Sequence, residues 1–278
     1  LWEVCLLFFF YLNQGLDYID FCYSSDHYIC MQFKKSLITL FIISLITNIS
    51  CIKNEPESSD PYIFLVGETH GEPDIISKEL ELWQDYYNNQ GFRHLFIEIG
   101  YVQALLLNEW IKSDSNDLLA RMFEDLAGTA FYTQEEVDFF KEIKRTCPQT
   151  IFHGTDISHQ YESTGVWYLE YMKLKELQDT EDYHLVIENN EQAKEFYDKK
   201  SNSIRENYMV ENFIREYDKL PQGTKIMGIY GSAHTGLTKK NIDRKVDCMA
   251  KQLNKYYTKS FGRCIISSLN LSDIKTNR

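Results

Sequence analysis

Several motifs that identify familiar enzyme classes are absent from this sequence. None of the seven cysteines forms a C-x-x-C pair, so neither a zinc ribbon nor a thioredoxin-type redox pair is indicated. No G-x-S-x-G nucleophile elbow is present, which argues against a covalent serine esterase. The net charge is −12, and an acidic surface argues against a nucleic-acid partner, because an extended phosphate backbone is bound by clustered Lys and Arg residues. We therefore expect a small-molecule substrate and no nucleic-acid partner.

The first methionine, Met31, opens a segment typical of a secretory signal. Two lysines follow it, residues 37–46 form an apolar core of about ten residues, and a polar break precedes Cys51. That core is shorter than the roughly 20 residues that a membrane-spanning helix needs. The segment resembles a bacterial lipoprotein signal, which implies lipidation of Cys51. An uncleaved anchor and a chance pattern are the alternatives, because Asn48 stands where leucine is usual.

This pattern divides the chain into four predicted segments. They are 1–30, which result from a start site placed too far upstream; 31–50, the lipoprotein-type signal peptide; 51–61, a polar tether; and 62–278, a single α/β hydrolase-like domain. The last segment has the length of one domain with a sizeable core. The mature protein is thus expected to be exported and anchored by lipid to a membrane of a bacterial cell envelope.

Apolar segments alternate with amphipathic ones along the predicted domain. Strands are predicted at 62–66, 94–100, 150–156, 225–230 and 263–269, with helices at 74–88, 101–112, 114–127, 133–145, 204–213 and 243–257. This alternation predicts an α/β fold with a mostly parallel central sheet of about five strands and helices on both faces. The charged stretch 161–203 is predicted to be a helical lid or insertion. The nearby His159 and His184 are expected in solvent.

Polar residues follow the first and fourth predicted strands, at the sheet edge where open α/β folds bind ligands. Glu68, His70 and Glu72 lie within the segment 67–74, directly after the first strand. A helix N-terminus rich in capping acids is the alternative interpretation of this segment. A second Gly-x-x-His, ending in His234, follows the fourth strand and favours a functional site.

Further candidates lie on other predicted elements. Glu98 interrupts an apolar strand, where a carboxylate must be paired, hydrogen-bonded or functional unless the strand is at an exposed edge. Asp156 ends the third strand. Arg205 and Asn212 share one face of a predicted helix with Met209, so both could reach a buried site. A snorkelling Arg205 on an ordinary amphipathic helix is the alternative.

Five motifs, in this order, resemble the erythromycin esterase-like family. They are Gly67-Glu-Thr-His-Gly71, Phe96-Ile-Glu98, Gly154-Thr-Asp156, Arg205-x-x-x-Met209-x-x-Asn212 and Gly231-Ser-Ala-His234. The wider group includes the haem-binding ChaN lipoproteins, the TraB proteins and the Tiki metalloproteases. The resemblance covers residues 62–269 and implies a hydrolase in which His70 is the general base that activates water, with Glu68 and Glu98 beside it.

The residues themselves are compatible with this chemistry. A neutral histidine can accept a proton from water, and a carboxylate can orient it and stabilise its cation. Glu68 or Glu98 would orient His70, and Arg205 or His234 would stabilise the oxyanion. Substrate contacts are predicted for Glu72, Asp156 and Asn212. This interpretation requires that His70 and His234 face one cleft and that Glu98 is shielded from solvent.

Two alternatives concern cofactors. The resemblance to the Tiki proteins implies a divalent metal, for which His70, His234 and Glu68 are candidate ligands. The resemblance to ChaN implies haem or iron with a Tyr or His ligand. The chain departs from the esterases by carrying Glu206 after Arg205 where they commonly have Asp, and by lacking the extra helices that shape a macrolide cleft. A macrolide substrate is therefore not expected, and the oligomeric state has no signal.

Overall fold

The computed structural model of the chain describes residues 62–129 and 131–273. The predicted segments 1–30, 31–50 and 51–61 lie outside these residues, so the signal, the tether and the lipidation of Cys51 stay predictions. Within the described residues, five parallel strands form one sheet in the order β3-β2-β4-β1-β5. The strands are β1 (Ile63–Glu68), β2 (His94–Gly100), β3 (Ile151–Asp156), β4 (Ile226–Gly231) and β5 (Ile266–Asn270). The predicted α/β fold with a five-stranded parallel sheet is confirmed.

Eight α-helices occur among the described residues. They are α1 (Pro73–Gln90), α2 (Tyr101–Trp110), α3 (Asp117–Glu124), α4 (Gln134–Thr146), α5 (Val166–Leu174), α6 (Glu181–Lys199), α7 (Asn202–Asp218) and α8 (Met249–Phe261). The sequence Thr133-Gln-Glu-Glu136 has the form of a capping box, and it begins α4 as such a motif should: Thr133 Oγ1 accepts the backbone N–H of Glu136 at 3.1 Å. No helix in this part of the chain is both long and apolar enough to span a membrane.

Two hydrophobic cores cover the two faces of the sheet. Along β1, Leu65 packs in the core that contains α7 and α8, while Val66 packs in the core that contains α1, α2 and α4. Phe96 and Ile97 of β2 divide in the same way. Parallel strands buried on both faces need apolar residues at successive positions, which is why these segments are continuous apolar runs in the sequence.

One predicted helix begins later than expected. Residues 232–248 form a loop, and α8 starts only at Met249 rather than near Asp243. The buried side chain of Asn241 accepts the backbone N–H groups of Lys245 at 3.1 Å and Val246 at 3.2 Å. These donors are therefore engaged in a turn, and Arg244 has a left-handed φ of 56° that a helix cannot contain.

The charged stretch 161–203 folds into a short π-helical turn (Tyr161–Gly165), α5 and α6. Helix α6 packs against α2 and α7. From this stretch, Tyr197 of α6 lines the cleft that contains the candidate site. The stretch is helical, as predicted, and its role as a lid stays a prediction.

A candidate active site at the carboxyl ends of four strands

Four neighbouring strands deliver the polar residues to one edge of the sheet. Glu68 ends β1, Glu98 lies near the end of β2, Asp156 ends β3 and Gly231 ends β4. Because β4 lies between β1 and β2, the turn that carries His234 comes between the strands that carry Glu68 and Glu98. Parallel strands end at the same edge, so side chains that are distant in sequence converge there.

Glu98 is the centre of the cluster. Its side chain is 5 % exposed. One carboxylate oxygen, Oε2, accepts the backbone N–H of Gly231 at 2.6 Å. The other, Oε1, accepts Nη2 of Arg205 at 2.6 Å and faces the Nε2 atoms of His70 at 3.8 Å and His234 at 3.5 Å. The two histidines thus face the same carboxylate, and Glu98 is shielded from solvent.

His70 is held by Glu68 and is open to the cleft. Its Nδ1 donates to Oε1 of Glu68 at 2.8 Å, while its side chain is 35 % exposed. A proton fixed on Nδ1 leaves Nε2 as the nitrogen that can accept a proton in the neutral tautomer. The hydrogen bond to Glu68 is the main reason that the pKa of His70 rises to about 9, with Glu98 adding to it against the opposing effect of burial.

His234 forms a second imidazole–carboxylate pair, but a buried one. Its Nδ1 lies 2.9 Å from Oε2 of Glu206, and Glu206 also accepts the backbone N–H of Met249. Burial lowers the pKa of His234, but the charges of Glu98 and Glu206 outweigh that effect and raise it overall. With Nδ1 engaged and Nε2 turned toward Glu98, His234 contacts the cluster through Glu98 but does not line the cleft, so the expectation that it faces the same cleft as His70 is not met.

Arg205 lies between two buried carboxylates. Its Nε and Nη2 donate to Asp156, the shortest contact being 2.6 Å, and Nη2 also donates to Glu98. Burial raises the pKa of Asp156, but the Arg205 charge and the contacts with His159 outweigh it, so the pKa falls well below the usual range. The pKa of Glu98 is lowered as well, because His234 and Arg205 together overcome its burial. Both carboxylates are therefore ionised.

A cleft of about 300 Å³ opens above this cluster. Its floor contains His70, Glu98, Asp156 and Arg205. The rest of the lining includes both apolar and polar residues: Ile99, Leu126, Phe131, Thr129, Gln103, Gln160, His159 and Tyr197. The volume is at the small end of the range for ligand pockets, which suits a small molecule.

Gly231 has a steric reason to be glycine. A Cβ atom placed there would lie 3.3 Å from both Oε2 of Glu98 and Nε2 of His70. Such contacts are tighter than ordinary van der Waals packing, so a side chain at this position would displace one of the two groups. Gly231, from the second Gly-x-x-His motif, therefore leaves space for His70, the histidine of the first motif.

Two predicted substrate-binding residues do not reach the cleft. Asn212 is fully buried and its Nδ2 donates to the carbonyl of Thr155 at 3.2 Å and to Gln192 at 2.9 Å. It lies seven residues beyond Arg205, about 10 Å farther along the axis of α7, which is why a shared helix face does not mean a shared site. Glu72 is exposed at the start of α1 and does not line the cleft. Both assignments are corrected by this geometry.

The structure adds residues that the sequence patterns did not single out. Glu206 was visible only as the neighbour of Arg205, and its pairing with His234 depends on the packing of α7 against the loop. The expectation that His159 is solvated holds only in part: its side chain is 33 % exposed, but its Nε2 lies 3.3 Å from Asp156 and its Nδ1 lies 2.8 Å from the Tyr197 hydroxyl. His184 is exposed, as expected.

A second group of carboxyls lies buried behind His70. Glu79 of α1 is 2 % exposed and Glu136 of α4 is 4 % exposed, and both interact electrostatically with Glu68. Burial is the main cause that raises the pKa of Glu79, and it raises that of Glu136 to about 8. Among the described residues, Oε1 of Glu79 and Oε2 of Glu68 have no hydrogen-bond partner. The signal for Glu79 was an acid on the apolar face of a helix, between Ile76 and Trp83.

The predicted metal ligands do not form a metal site in this arrangement. In residues 62–129 and 131–273, no three His, Cys, Asp or Glu side chains are placed so that they could hold a metal ion. The Glu98 oxygen that both histidines face already accepts Arg205, and a guanidinium at that point repels a divalent cation. His70, His234 and Glu68 instead form hydrogen-bonded imidazole–carboxylate contacts.

Comparison with known proteins shows the fold. No protein-family model matches the sequence, and no curated protein matches it. Among solved structures, the chain is similar to a His-to-Asn variant of the erythromycin esterase EreC in its open conformation, with 14 % identity and a TM-score of 0.55 over 76 % of this chain and 69 % of that one. A Bacillus cereus protein is 17 % identical with a TM-score of 0.50, and a succinoglycan biosynthesis protein is 15 % identical with a TM-score of 0.53. Each of these two matches covers 76 % of this chain and 66 % of the other, so the likeness to EreC and its structural relatives is one of fold.

Proposed function

We propose that this protein is a hydrolase that cleaves an ester or related bond in a small molecule, with water activated by His70. One observation carries the proposal: the imidazole that Glu68 orients through Nδ1 turns Nε2 toward an open cleft beside Glu98. A carboxylate-oriented imidazole with one free nitrogen is the arrangement that general-base catalysis requires. The similarity of fold to an erythromycin esterase is compatible with this activity.

In this mechanism, neutral His70 takes a proton from a water molecule at Nε2 while the water oxygen bonds to the carbonyl carbon of the substrate. The carbonyl π electrons become an oxyanion on a tetrahedral intermediate. When the intermediate collapses, the bond to the leaving oxygen breaks and His70 returns its proton to that oxygen. The products are a carboxylic acid and an alcohol, and no covalent enzyme intermediate forms.

Arg205 is the best candidate to stabilise the oxyanion. Its Nε and Nη2 are engaged by Asp156 and Glu98, whereas Nη1 makes no hydrogen bond with any described residue. The guanidinium lines the cleft, and the two carboxylates hold it in one orientation. A fixed cationic donor in a partly buried site stabilises charge that develops in the transition state. Asp156 and Glu98 are thus positioning residues for Arg205.

Haem binding is the competing function. The half-exposed His70 could serve as an axial ligand, and Leu126 and Phe131 supply part of an apolar wall. The floor, however, carries the ionised carboxylates of Glu98 and Asp156, which do not suit the apolar surroundings of a haem macrocycle. We therefore favour the hydrolase, and haem enters as an outcome that would overturn it.

The test is ester hydrolysis by the purified protein on a panel of nitrophenyl esters with short acyl chains. His70→Ala should lower turnover by at least about 100-fold, the usual loss for a general base. His184→Ala is the matched control, because His184 is exposed on α6 and outside the cleft. Metal content and the absorbance spectrum with added haem are measured on the same samples.

Turnover that survives His70→Ala would refute the proposed role of this histidine. A tight haem spectrum that His70→Ala abolishes, with no turnover of any ester, would move the protein to the haem-binding class. Stoichiometric metal that is required for turnover would show that the active arrangement differs from the one described.

We also propose that the protein is exported and attached to a membrane through a lipid on Cys51. The support is the pattern of residues 31–51, which lies outside the described residues. Mass spectrometry of membrane-extracted protein should find diacylglycerol on Cys51, and a chain that still begins at Met31 would contradict the proposal.

A further inference from the structure

The loop of residues 232–248 presents an unusual surface. Asn241 is buried and fixes the loop from inside, through the backbone of Lys245 and Val246 and through Ser203 of α7 at 3.3 Å. An antiparallel bridge joins Lys240 to Asp247. The next residue after Asn241, Ile242, is 72 % exposed. The loop is therefore well fixed at its base and carries an apolar side chain in solvent at its tip.

Positive charge is concentrated around this tip. Residues 239–259 contain seven Lys and Arg against two Asp, in a chain whose net charge is −12. Asp247 forms salt bridges with Lys251 and Lys255 on α8, and Asp243 accepts Asn202. Four exposed basic side chains of the loop itself keep no acidic partner among the described residues: Lys239, Lys240, Arg244 and Lys245. Unpaired cations on an otherwise acidic protein indicate an anionic partner.

A groove runs beside the basic loop. It has a volume of about 450 Å³ and is open to solvent. Lys240 and Lys245 line it from the loop, and Asn207 and Gln252 add amide groups. Asp247 and Lys255 also line it, but they neutralise each other in a salt bridge, so Lys240 and Lys245 supply the net positive charge. Ammonium and amide donors in one groove suit a phosphate group. No residue that lines this groove also lines the cleft that contains His70 and Glu98.

From these observations we infer that residues 236–248 of this loop, together with the start of α8, form a docking surface for a membrane rich in anionic phospholipid. Lys240 and Lys245 bind phosphate headgroups, and Ile242 enters the boundary between headgroups and acyl chains. Binding of this kind combines buried apolar area with attraction to anionic lipid. The inference concerns a different surface from the proposed hydrolase site and does not depend on hydrolytic activity.

Nucleic acid is the other polyanion that could bind basic residues, but two observations favour lipid. The patch is small and the rest of the chain is acidic, so an extended phosphate backbone would meet repulsion beyond the loop. The apolar tip residue, Ile242, has no partner in a phosphate backbone but does in a bilayer.

The experiment uses the full chain carrying Ile242→Trp, mixed with vesicles that contain brominated lipid. Bromine quenches a tryptophan only when the two are close, so the quenching gained over the parent chain reports on position 242 and not on an N-terminal anchor. The vesicles are phosphatidylcholine alone or phosphatidylcholine with phosphatidylglycerol. The test variant adds Lys240→Glu and Lys245→Glu, and the matched control adds Lys112→Glu and Lys175→Glu, which make the same charge change at exposed positions on other elements.

We expect quenching with anionic vesicles that weakens as salt is added. The Lys240→Glu/Lys245→Glu variant should bind at least tenfold more weakly, since each basic residue near an anionic surface is worth about fivefold in affinity. The Lys112→Glu/Lys175→Glu control should bind as the parent does. Circular dichroism of all variants checks that the fold is kept.

Three results would overturn the inference. Equal quenching by neutral and anionic vesicles would show that charge is not involved. Equal binding of the test variant and its control would show that Lys240 and Lys245 contribute no more to lipid binding than lysines elsewhere on the surface. Displacement of the vesicles by millimolar inorganic phosphate, or preference for an RNA competitor over lipid, would assign the groove to another anion.

Discussion

The buried carboxyl of Glu136 should make the stability of this protein fall as pH rises. Glu136 is 4 % exposed, and its neighbours include Glu68, whose negative charge adds to the effect of burial. Its pKa rises from 4.5 to about 8 on folding, although the His70 cation opposes part of this rise. At neutral pH the folded protein must therefore keep a proton on Glu136 that the unfolded chain releases.

The size of the effect follows from the linkage between proton binding and folding. A carboxyl with a raised pKa in the folded state contributes stability that is fully present below pH 4.5 and is lost as pH rises toward 8. Each pH unit in this window costs about 1.4 kcal/mol, so at pH 7 the loss is about 3 kcal/mol. Glu136→Gln, which resembles the protonated acid, should remove this dependence, since glutamine does not titrate.

The assay is urea unfolding followed by tryptophan fluorescence at about pH 5 and about pH 8. From about pH 5 to about pH 8, the free energy of unfolding of Glu136→Gln should rise by about 3 kcal/mol relative to that of the wild type. Glu135→Gln is the matched control, because Glu135 precedes Glu136 in the same first turn of α4 but is exposed. If the free energies of unfolding of Glu136→Gln and Glu135→Gln differ by the same amount at both pH values, the reasoning is refuted. Glu136 would then already be ionised and solvated in the folded protein.

Three further predictions concern the site. If His70 is the base, kcat/KM should rise with pH up to about pH 9, because the hydrogen bond to Glu68 raises the pKa of His70 to about 9. In the Glu68→Gln variant, the inflection of the pH–rate profile should move down toward pH 6.5. Gly231→Ala should lower kcat by at least tenfold, about 1.4 kcal/mol, because its Cβ crowds Glu98 and His70; unchanged steady-state kinetics would contradict this. Asn212→Ala should destabilise the fold by about 3 kcal/mol in urea unfolding, because it leaves buried groups unpaired, and should leave KM unchanged because Asn212 does not reach the cleft.

The strands could be predicted from the sequence because burial on both faces leaves a local record. Each predicted strand overlaps an observed one, and the polar residues that follow β1, β3 and β4 mark the carboxyl edge of the sheet. The Thr133 to Glu136 capping pattern located the start of α4 for the same reason, since a cap is made by neighbours in sequence. The helix predicted at residues 243–248 does not form, because the buried side chain of Asn241 accepts backbone N–H groups that a helix would have used.

The site was predicted only in part. Glu68, His70, Glu98, Asp156 and Arg205 were candidates from sequence and do converge. The predicted substrate contact of Asn212 was wrong because residues on one helix face can lie far apart along the helix axis. Glu206 was missed because its partner lies 28 residues away across a loop whose course is set by packing.

What the sequence determined by itself is therefore the set of elements and the chemistry available at their ends, because both depend on the character of neighbouring residues. Tertiary structure decided how those groups pair. The sheet order inserts β4 between β1 and β2, so Gly231 fills the gap between Glu98 and His70, and both histidines face one carboxylate oxygen. Strand order depends on contacts between residues that are far apart in the chain, and no local pattern records which strands become neighbours.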